Sequence, residues 1–233
     1  MTNPVLRVKG LTSGYGQAAV LNSVDLDISS GQIFALLGKN GMGKSTLLKS
    51  IMGFLPKMSG QVEFDGRDVS ATPPYRLARA GIGYVAQEQA LFQDLTVDEN
   101  IRLGVRDRPI EQAYADVGKS FPILLERLRQ RAGTLSGGEQ KMLLLARSLA
   151  NGARLLLIDE ISEGLQPSMV DHVASVLADL SARKDTTMLL VEQNIRFATQ
   201  IAVRYAVLER GAIVARGDAS PATSEIVARH LSV

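Results

Sequence analysis

One run of nine residues constrains the fold of this chain more than any other feature: Gly38-Lys39-Asn40-Gly41-Met42-Gly43-Lys44-Ser45-Thr46. It fits the spacing glycine, any four residues, glycine, lysine, then serine or threonine. Each residue type answers a physical need. The glycines let the backbone wrap so that its N–H groups point inward at phosphate oxygens. Lys44 supplies a cation for the β- and γ-phosphates, and the Ser45 hydroxyl can ligate Mg²⁺. A helix starting there aims the partial positive charge of its N-terminus at the same anion. The context agrees. The apolar run Ile33–Leu37 leads in as a strand, and Lys44–Met52, closed by Gly53, leads out as a helix.

The rest of the chain alternates in the same way. Strands are expected at Leu6–Val8, Val24–Ile28, Ile33–Leu37, Gln61–Phe64 and Gly83–Val85, then at Leu155–Ile158, Met188–Val191, Tyr205–Glu209 and Ala212–Arg216. Short apolar runs bounded by Gly or Asp predict strands buried on both faces, as in a parallel sheet covered by helices. Val24–Ile28 alternates instead, which suits an antiparallel strand with one wet face. Further helices are expected at Glu139–Ala150 and Val170–Ala182. Between about Glu88 and Thr134 the strand signal fades and helical periodicity takes over, as at Ile110–Val117 and Ile123–Arg131. That stretch reads as a helical subdomain inserted into an α/β core. The 233 residues suit one large domain with a subdomain.

Arg154-Leu155-Leu156-Leu157-Ile158-Asp159-Glu160 is an apolar strand that ends in two carboxylates. Beside a phosphate cradle, Asp159 is placed to hold the Mg²⁺ shell, directly or through water. Glu160, one residue on, points differently and can polarise an attacking water as general base.

Leu135-Ser136-Gly137-Gly138-Glu139-Gln140 opens a helix, and Ser136 and Glu139 have the spacing of a capping box. A cap does not need Gly137 and Gly138. Two glycines at a helix start make a second bare-backbone anion site. The economical arrangement is a head-to-tail dimer, in which one subunit's cradle binds ATP and the other's Ser136–Glu139 segment closes on the γ-phosphate.

Composition narrows the alternatives. Cysteine is absent, which excludes disulfides, thiolate metal sites and cysteine nucleophiles. The two histidines, His172 and His230, are too few for a histidine-rich metal site. Lys+Arg 26 against Asp+Glu 24 is too balanced to argue for a nucleic-acid partner. Unbroken apolar runs such as Ile33–Leu37 fall far short of the roughly 18 residues a membrane span needs. A reduced, cytoplasmic location is the expectation.

Taken in order and spacing, Gly38–Thr46, Leu135–Gln140 and Leu155–Glu160 resemble the nucleotide-binding subunits of ABC transporters, over essentially the whole chain. The resemblance implies a P-loop NTPase fold: a mainly parallel α/β core, an antiparallel β subdomain and an inserted helical subdomain. It implies an ATP-binding core at 1–87 and 136–233, with the insert at 88–135. The cofactors it implies are ATP and Mg²⁺, the cradle being Gly38, Lys39, Asn40, Gly41, Met42, Gly43, Lys44, Ser45 and Thr46. Tyr15 matches the aromatic residue that stacks on adenine. Gln87 matches the glutamine that reaches Mg²⁺ and the attacking water, so the metal set is Ser45, Gln87 and Asp159. Ser136, Gly137, Gly138 and Glu139 match the segment that meets the partner's nucleotide. Ser162–Gln166 matches the loop that crosses the dimer. The catalytic set implied is Glu160, Gln193 and Gln87.

Phe121-Pro122, Glu126-Arg127, Ala132–Leu135 and Val191–Asn194 resemble the second ATPase of branched-chain amino acid uptake systems. Glu163–Ser168 and Pro73–Val85 are also similar to urea and short-chain amide importers, which stay open as an alternative. The partners implied are membrane permease subunits, a second ABC ATPase or a second copy, and indirectly a periplasmic solute-binding protein. The implied place is peripheral, on the inner face of the membrane. A DNA-associated ATPase with the same nucleotide head is a further alternative, as is a nucleotide sensor without turnover. Three positions depart from the common pattern. Gln193 stands where most such ATPases have histidine, Ile161 replaces a proline, and Gln166 replaces an aspartate. Ala86-Gln87-Glu88-Gln89 also replaces a more usual proline-containing run.

Overall fold

The computed structural model describes residues 4–87, 91–106, 108–184, 186–220, 223–225 and 227. Glu88 and Gln89, where the insert was expected to begin, and His230 lie outside the described residues.

Two sheets form. The first is antiparallel, in the order β2-β1-β4-β5, from β1 (Leu6–Tyr15), β2 (Ala18–Ile28), β4 (Lys57–Phe64) and β5 (Arg67–Asp68). The second has six strands in the order β10-β9-β3-β8-β7-β6, from β3 (Ile33–Leu37), β6 (Ile82–Val85), β7 (Leu155–Asp159), β8 (Thr187–Glu192), β9 (Arg204–Glu209) and β10 (Ala212–Asp218). Strands β9, β3, β8, β7 and β6 run parallel, and β10 closes the edge antiparallel. Every residue of β3, β7 and β8 is buried, as continuous apolar runs require of a sheet covered on both faces. Val24–Ile28 instead alternates buried and exposed residues, with Asp25 and Asp27 outward.

The two faces of the parallel sheet feed separate cores. Ile33, Ala35, Leu37, Leu156, Ile158, Met188 and Leu190 pack under helices α6 (Gly137–Leu149), α7 (Pro167–Ala182) and α8 (Ile195–Ile201). Phe34, Leu36, Leu155, Leu157, Leu189 and Val191 face the antiparallel sheet. Helix α1 (Lys44–Ile51) lies between the two sheets and buries Leu47, Leu48 and Ile51 there. Cutting Leu36 or Leu48 to alanine in such a site costs about 2–5 kcal/mol.

Helices α3 (Val97–Gly104) and α4 (Ile110–Ser120) pack on α6, and α5 (Pro122–Glu126) packs on α4, with Ile101, Val117, Phe121 and Leu124 joining the same core. The helix expected over Ile123–Arg131 stops at Glu126. The carbonyls of Leu128 and Gln130 accept from the backbone N–H groups of Asp98 and Val97, which leaves them unavailable to a continuing helix. Two short helices were not anticipated. These are α2 (Pro74–Arg79), started by proline at its first position, and α8, capped by the Asn194 side chain accepting from Phe197 N at 3.1 Å. Strand β1 runs on to Tyr15, well past Val8, because it is paired on both sides, by β2 and by β4.

Candidate functional site

Parallel strands place all their C-terminal ends along one edge of a sheet, and ligands bind outside that edge. The order β3-β8-β7-β6 therefore gathers four predicted segments on one side. The Gly38 loop follows β3, Gln193 follows β8, Asp159 and Glu160 end β7, and Gln87 follows β6.

The loop after β3 is shaped by two glycines. A Cβ on Gly38 would stand 2.6 Å from the Leu208 carbonyl oxygen, so the close approach to β9 admits only glycine. Gly43, at φ 101, enters α1 from the left-handed region. It offers no side-chain cap, so the first N–H groups of α1 are not met by a capping oxygen. The turn between β9 and β10 props the loop, with Gly211 N donating to the Met42 carbonyl at 3.1 Å and Arg210 N to its sulfur at 3.3 Å.

These segments enclose an open cleft of about 450 Å³, lined by Tyr15, Val20, Asn40, Gly41, Gly43, Lys44, Ser45, Thr46, Gln87 and Glu160. At its floor Lys44 Nζ lies 2.8 Å from Glu160 Oε1, and it also donates to the Lys39 carbonyl at 3.0 Å. Ser45 Oγ donates to Asp159 Oδ1 at 2.9 Å. Gln87 Nε2 donates to Glu160 Oε2 at 3.1 Å and to Glu163. Burial pushes the Asp159 carboxyl above its ordinary value, against the Ser45 hydrogen bond, which favours the charged form. Such a set can neutralise a phosphate through Lys44, offer hard oxygen donors through Ser45 and Asp159, and hold a water between Glu160 and Gln87.

The Ser136 segment lies away from the lining of this cleft, at the start of α6. Its capping box is formed. Ser136 N donates to Glu139 Oε2 at 2.9 Å, and Glu139 N to Ser136 Oγ at 3.4 Å. The Ser136 N–H, and then the Ser136 hydroxyl donating to Oε2 at 2.8 Å, hold the Glu139 carboxyl below its usual value, and Arg127 adds an ion pair at 3.2 Å. Gly137 has open space where a Cβ would be, whereas Gly138 is close against Met169. The cap and the bare-backbone surface therefore coexist, the second carried by Gly137.

Of the other predicted residues, Tyr15 lines the cleft and Gln193 stands outside its lining. Tyr15 is half exposed at the end of β1, and Gln193 is exposed just beyond β8. His172 is exposed on α7, away from the cleft lining. Several residues escaped the sequence reading. Tyr84 donates from its hydroxyl to Asp159 Oδ2 at 3.3 Å, and burial, then the Asp159 charge, keeps that hydroxyl above its ordinary pKa and so protonated. Glu163 holds Gln87 from the far side. Glu192, at the end of β8, is buried against Ser162. A charged residue closing an apolar strand beside Gln193 was the available signal for Glu192. Tyr84 carried none, being one of several aromatic residues in ordinary strand context.

The sequence profile described as ABC transporter matches residues 21–163. A high-affinity branched-chain amino acid transport ATP-binding protein, BraG of Pseudomonas aeruginosa, is 39% identical over 86% of this chain and 87% of its own length. A probable branched-chain amino acid transport ATP-binding protein, LivF of Archaeoglobus fulgidus, is 36% identical over 93% of each chain. Among solved structures, a nucleotide-free ATP-binding cassette from an ABC transporter superposes with a TM-score of 0.87 at 23% identity, covering 97% of this chain and 95% of its own.

Proposed function

The chain belongs to the ABC transporter family, and on that premise we propose that it is the ATPase of an importer for branched-chain amino acids. It binds nucleotide and hydrolyses ATP, as members of that family do. The observation that carries the reading is the convergence of Lys44, Ser45, Gln87, Asp159 and Glu160, from three separate segments, on one cleft beside Tyr15. The solute is argued from two relatives, both carrying that transport assignment in their names.

In this reading Tyr15 stacks on adenine and the Gly38–Thr46 backbone cradles the phosphates. Lys44 exchanges Glu160 for phosphate oxygen. Glu160, freed of Lys44 and steadied by Gln87, orients a water for in-line attack and takes its proton. Gln193 donates an amide hydrogen bond toward the γ-phosphate. Ser136–Glu139 of a second subunit, related or identical, completes the site with the surface of Gly137. The residues fit Mg²⁺, which takes one or two protein oxygen ligands and otherwise water and phosphate. Ser45 and Asp159 would hold it, with Gln87 beside them, and it would neutralise charge on the β- and γ-oxygens.

We assign 1–87 and 136–233 to the ATP-binding core and 88–135 to an insert that moves with closure. The helical character of α3, α4 and α5 supports that division. We assign the permease contact to a groove of about 440 Å³ along the junction; the half-exposed Phe54, Phe92 and Leu103 beside Tyr84 support that reading. Large exposed apolar side chains gathered in one groove mark an interaction site. Among the described residues no helix is long and apolar enough to cross a membrane. The reading puts the chain on the inner face, with the permease supplying the span.

The test is uptake of labelled leucine and of labelled urea by cells lacking this gene. The reading expects leucine uptake to fall and to return with the wild-type chain but not with Glu160→Gln. Loss of urea uptake alone would transfer the assignment to the amide importers.

A further inference from the structure

Glu192 is 1% exposed, each of its carboxylate oxygens accepts from Ser162, and the Asn194 N–H is a further donor. Ser162 N donates to Oε1 at 3.0 Å and Ser162 Oγ donates to Oε2 at 2.8 Å. Ser162 is itself buried. One residue earlier on β8, the Val191 carbonyl accepts from Glu160 N at 2.9 Å. The ladder between β7 and β8 ends with Asp159 opposite Val191, so these bonds extend it past its last regular pair. Consecutive positions on β8 thus hold residues 160 and 162 of the loop that leaves β7.

The first of those two residues needs the ties. Glu160 sits at φ 47, in the left-handed region. For a residue with a Cβ this costs about 1–2 kcal/mol. Such a conformation persists only where its surroundings over-determine it. The turn it makes carries the Glu160 carboxylate onto Lys44 and Gln87. Burying a carboxyl to make the tie is itself unfavourable, and burial pushes Glu192 up to about 7. A cheaper apolar residue would fill the space but would leave two buried donors of Ser162 without acceptors.

We propose that Glu192 is a positioning residue for ATP hydrolysis: by clamping Ser162 it holds Glu160 in its left-handed turn and fixes the start of the Ser162–Gln166 loop. The inference rests on the reading of Glu160 as the base. It is separate from the nucleotide contacts, since Glu192 is absent from the lining of the cleft.

The clamp needs two hydrogen bonds, not a charge. An amide in place of the carboxylate keeps both, because its oxygen accepts from Ser162 N while the hydroxyl turns round to accept from its NH₂. Steady-state ATPase kinetics on the purified full chain, with binding of a fluorescent ATP analogue measured alongside, separate the roles. Glu192→Ala should lower kcat by about tenfold to a hundredfold, the scale of a small misplacement of a reacting group. KM and analogue binding should stay within about twofold, since a loss confined to the transition state leaves ground-state binding alone. Glu192→Gln should stay within about threefold of wild type. Ser162→Ala, which removes one bond only and spares the fold, should lower kcat several-fold at unchanged KM. The proposal is overturned by full kcat in folded Glu192→Ala or in Ser162→Ala, by a KM that rises in step with the loss of kcat, or by Glu192→Gln falling as far as alanine. Glu160→Gln is run in parallel. Full activity there would remove the base reading on which the inference stands, whereas a dead Glu160→Gln with fully active Glu192 and Ser162 variants would remove the inference alone.

Discussion

Lys44 Nζ lies 2.8 Å from Glu160 Oε1, and both side chains are nearly closed off from solvent. The cation assigned to the phosphates and the carboxylate assigned to the water thus hold each other. Any phosphate that takes Lys44 must displace Glu160 from it. A buried pair is costly to break by removing one partner, and cheaper to exchange for another anion.

Removing the competing charge should therefore raise nucleotide affinity. In Glu160→Gln the neutral amide can accept a hydrogen bond from Lys44 but offers it no charge, so ATP should bind more tightly, by about threefold to tenfold for roughly 1 kcal/mol of released competition. Equilibrium titration with a fluorescent ATP analogue reads this. Weaker binding in the variant would mean that the pair organises the cradle rather than competing for it.

Tyr15 is half exposed at the mouth of the cleft, as a stacking platform must be. Tyr15→Ala should weaken nucleotide binding by about 1–3 kcal/mol, the range of base–aromatic stacking. Tyr15→Phe, which keeps the ring, should bind as wild type. Calorimetric titration distinguishes the two. Equal affinity in all three proteins would return Tyr15 to the role of a turn residue.

Glu192 predicts a pH dependence of stability. Its folded value is pushed up to about 7 from an ordinary 4.5, chiefly by burial. Between those values the folded chain holds a proton that the unfolded chain has released. Stability therefore falls as pH rises through that window, by on the order of 3 kcal/mol at most, and this contribution is constant below and above it. Urea unfolding from pH 4 to 8 should show the decline in wild type and a flatter profile in Glu192→Gln. Parallel profiles would show that Glu192 titrates normally.

The parts of the site legible in the sequence were those whose chemistry demands particular residue types at fixed spacing. The Gly38–Thr46 run, the carboxylates ending Leu155–Asp159 and the Ser136 cap all fall where the spacing put them. Buried strands were equally legible, since β3, β7 and β8 are buried at every position and each is built on an unbroken apolar run. What escaped depends on contacts between distant segments. The helix expected over Ile123–Arg131 ends early because Leu128 and Gln130 pair with the start of α3, about thirty residues upstream. Glu163 on Gln87, Tyr84 on Asp159 and Glu192 on Ser162 are likewise long-range pairs that no local pattern encodes.

The groove beside Tyr84 offers a test that leaves the nucleotide site alone. Leu103 is half exposed there, on α3, outside the lining of the nucleotide cleft. Leu103→Ser should keep the basal ATPase rate of the isolated chain. In membranes reconstituted with the permease it should lose most of the transport-coupled stimulation, as removing an apolar anchor from an interface does. Full stimulation would place the permease elsewhere.

The central claim is that two nucleotide cradles close head to tail and that Glu160 then drives hydrolysis. Analytical ultracentrifugation of Glu160→Gln with and without ATP tests it most directly. The account predicts a monomer without nucleotide, a stable dimer holding two ATP with it, and no phosphate release, while the wild type forms that dimer only transiently and hydrolyses its ATP. A Glu160→Gln chain that at saturating ATP pairs neither with itself nor with a second ABC ATPase added to it, or that releases phosphate at the wild-type rate, would contradict it.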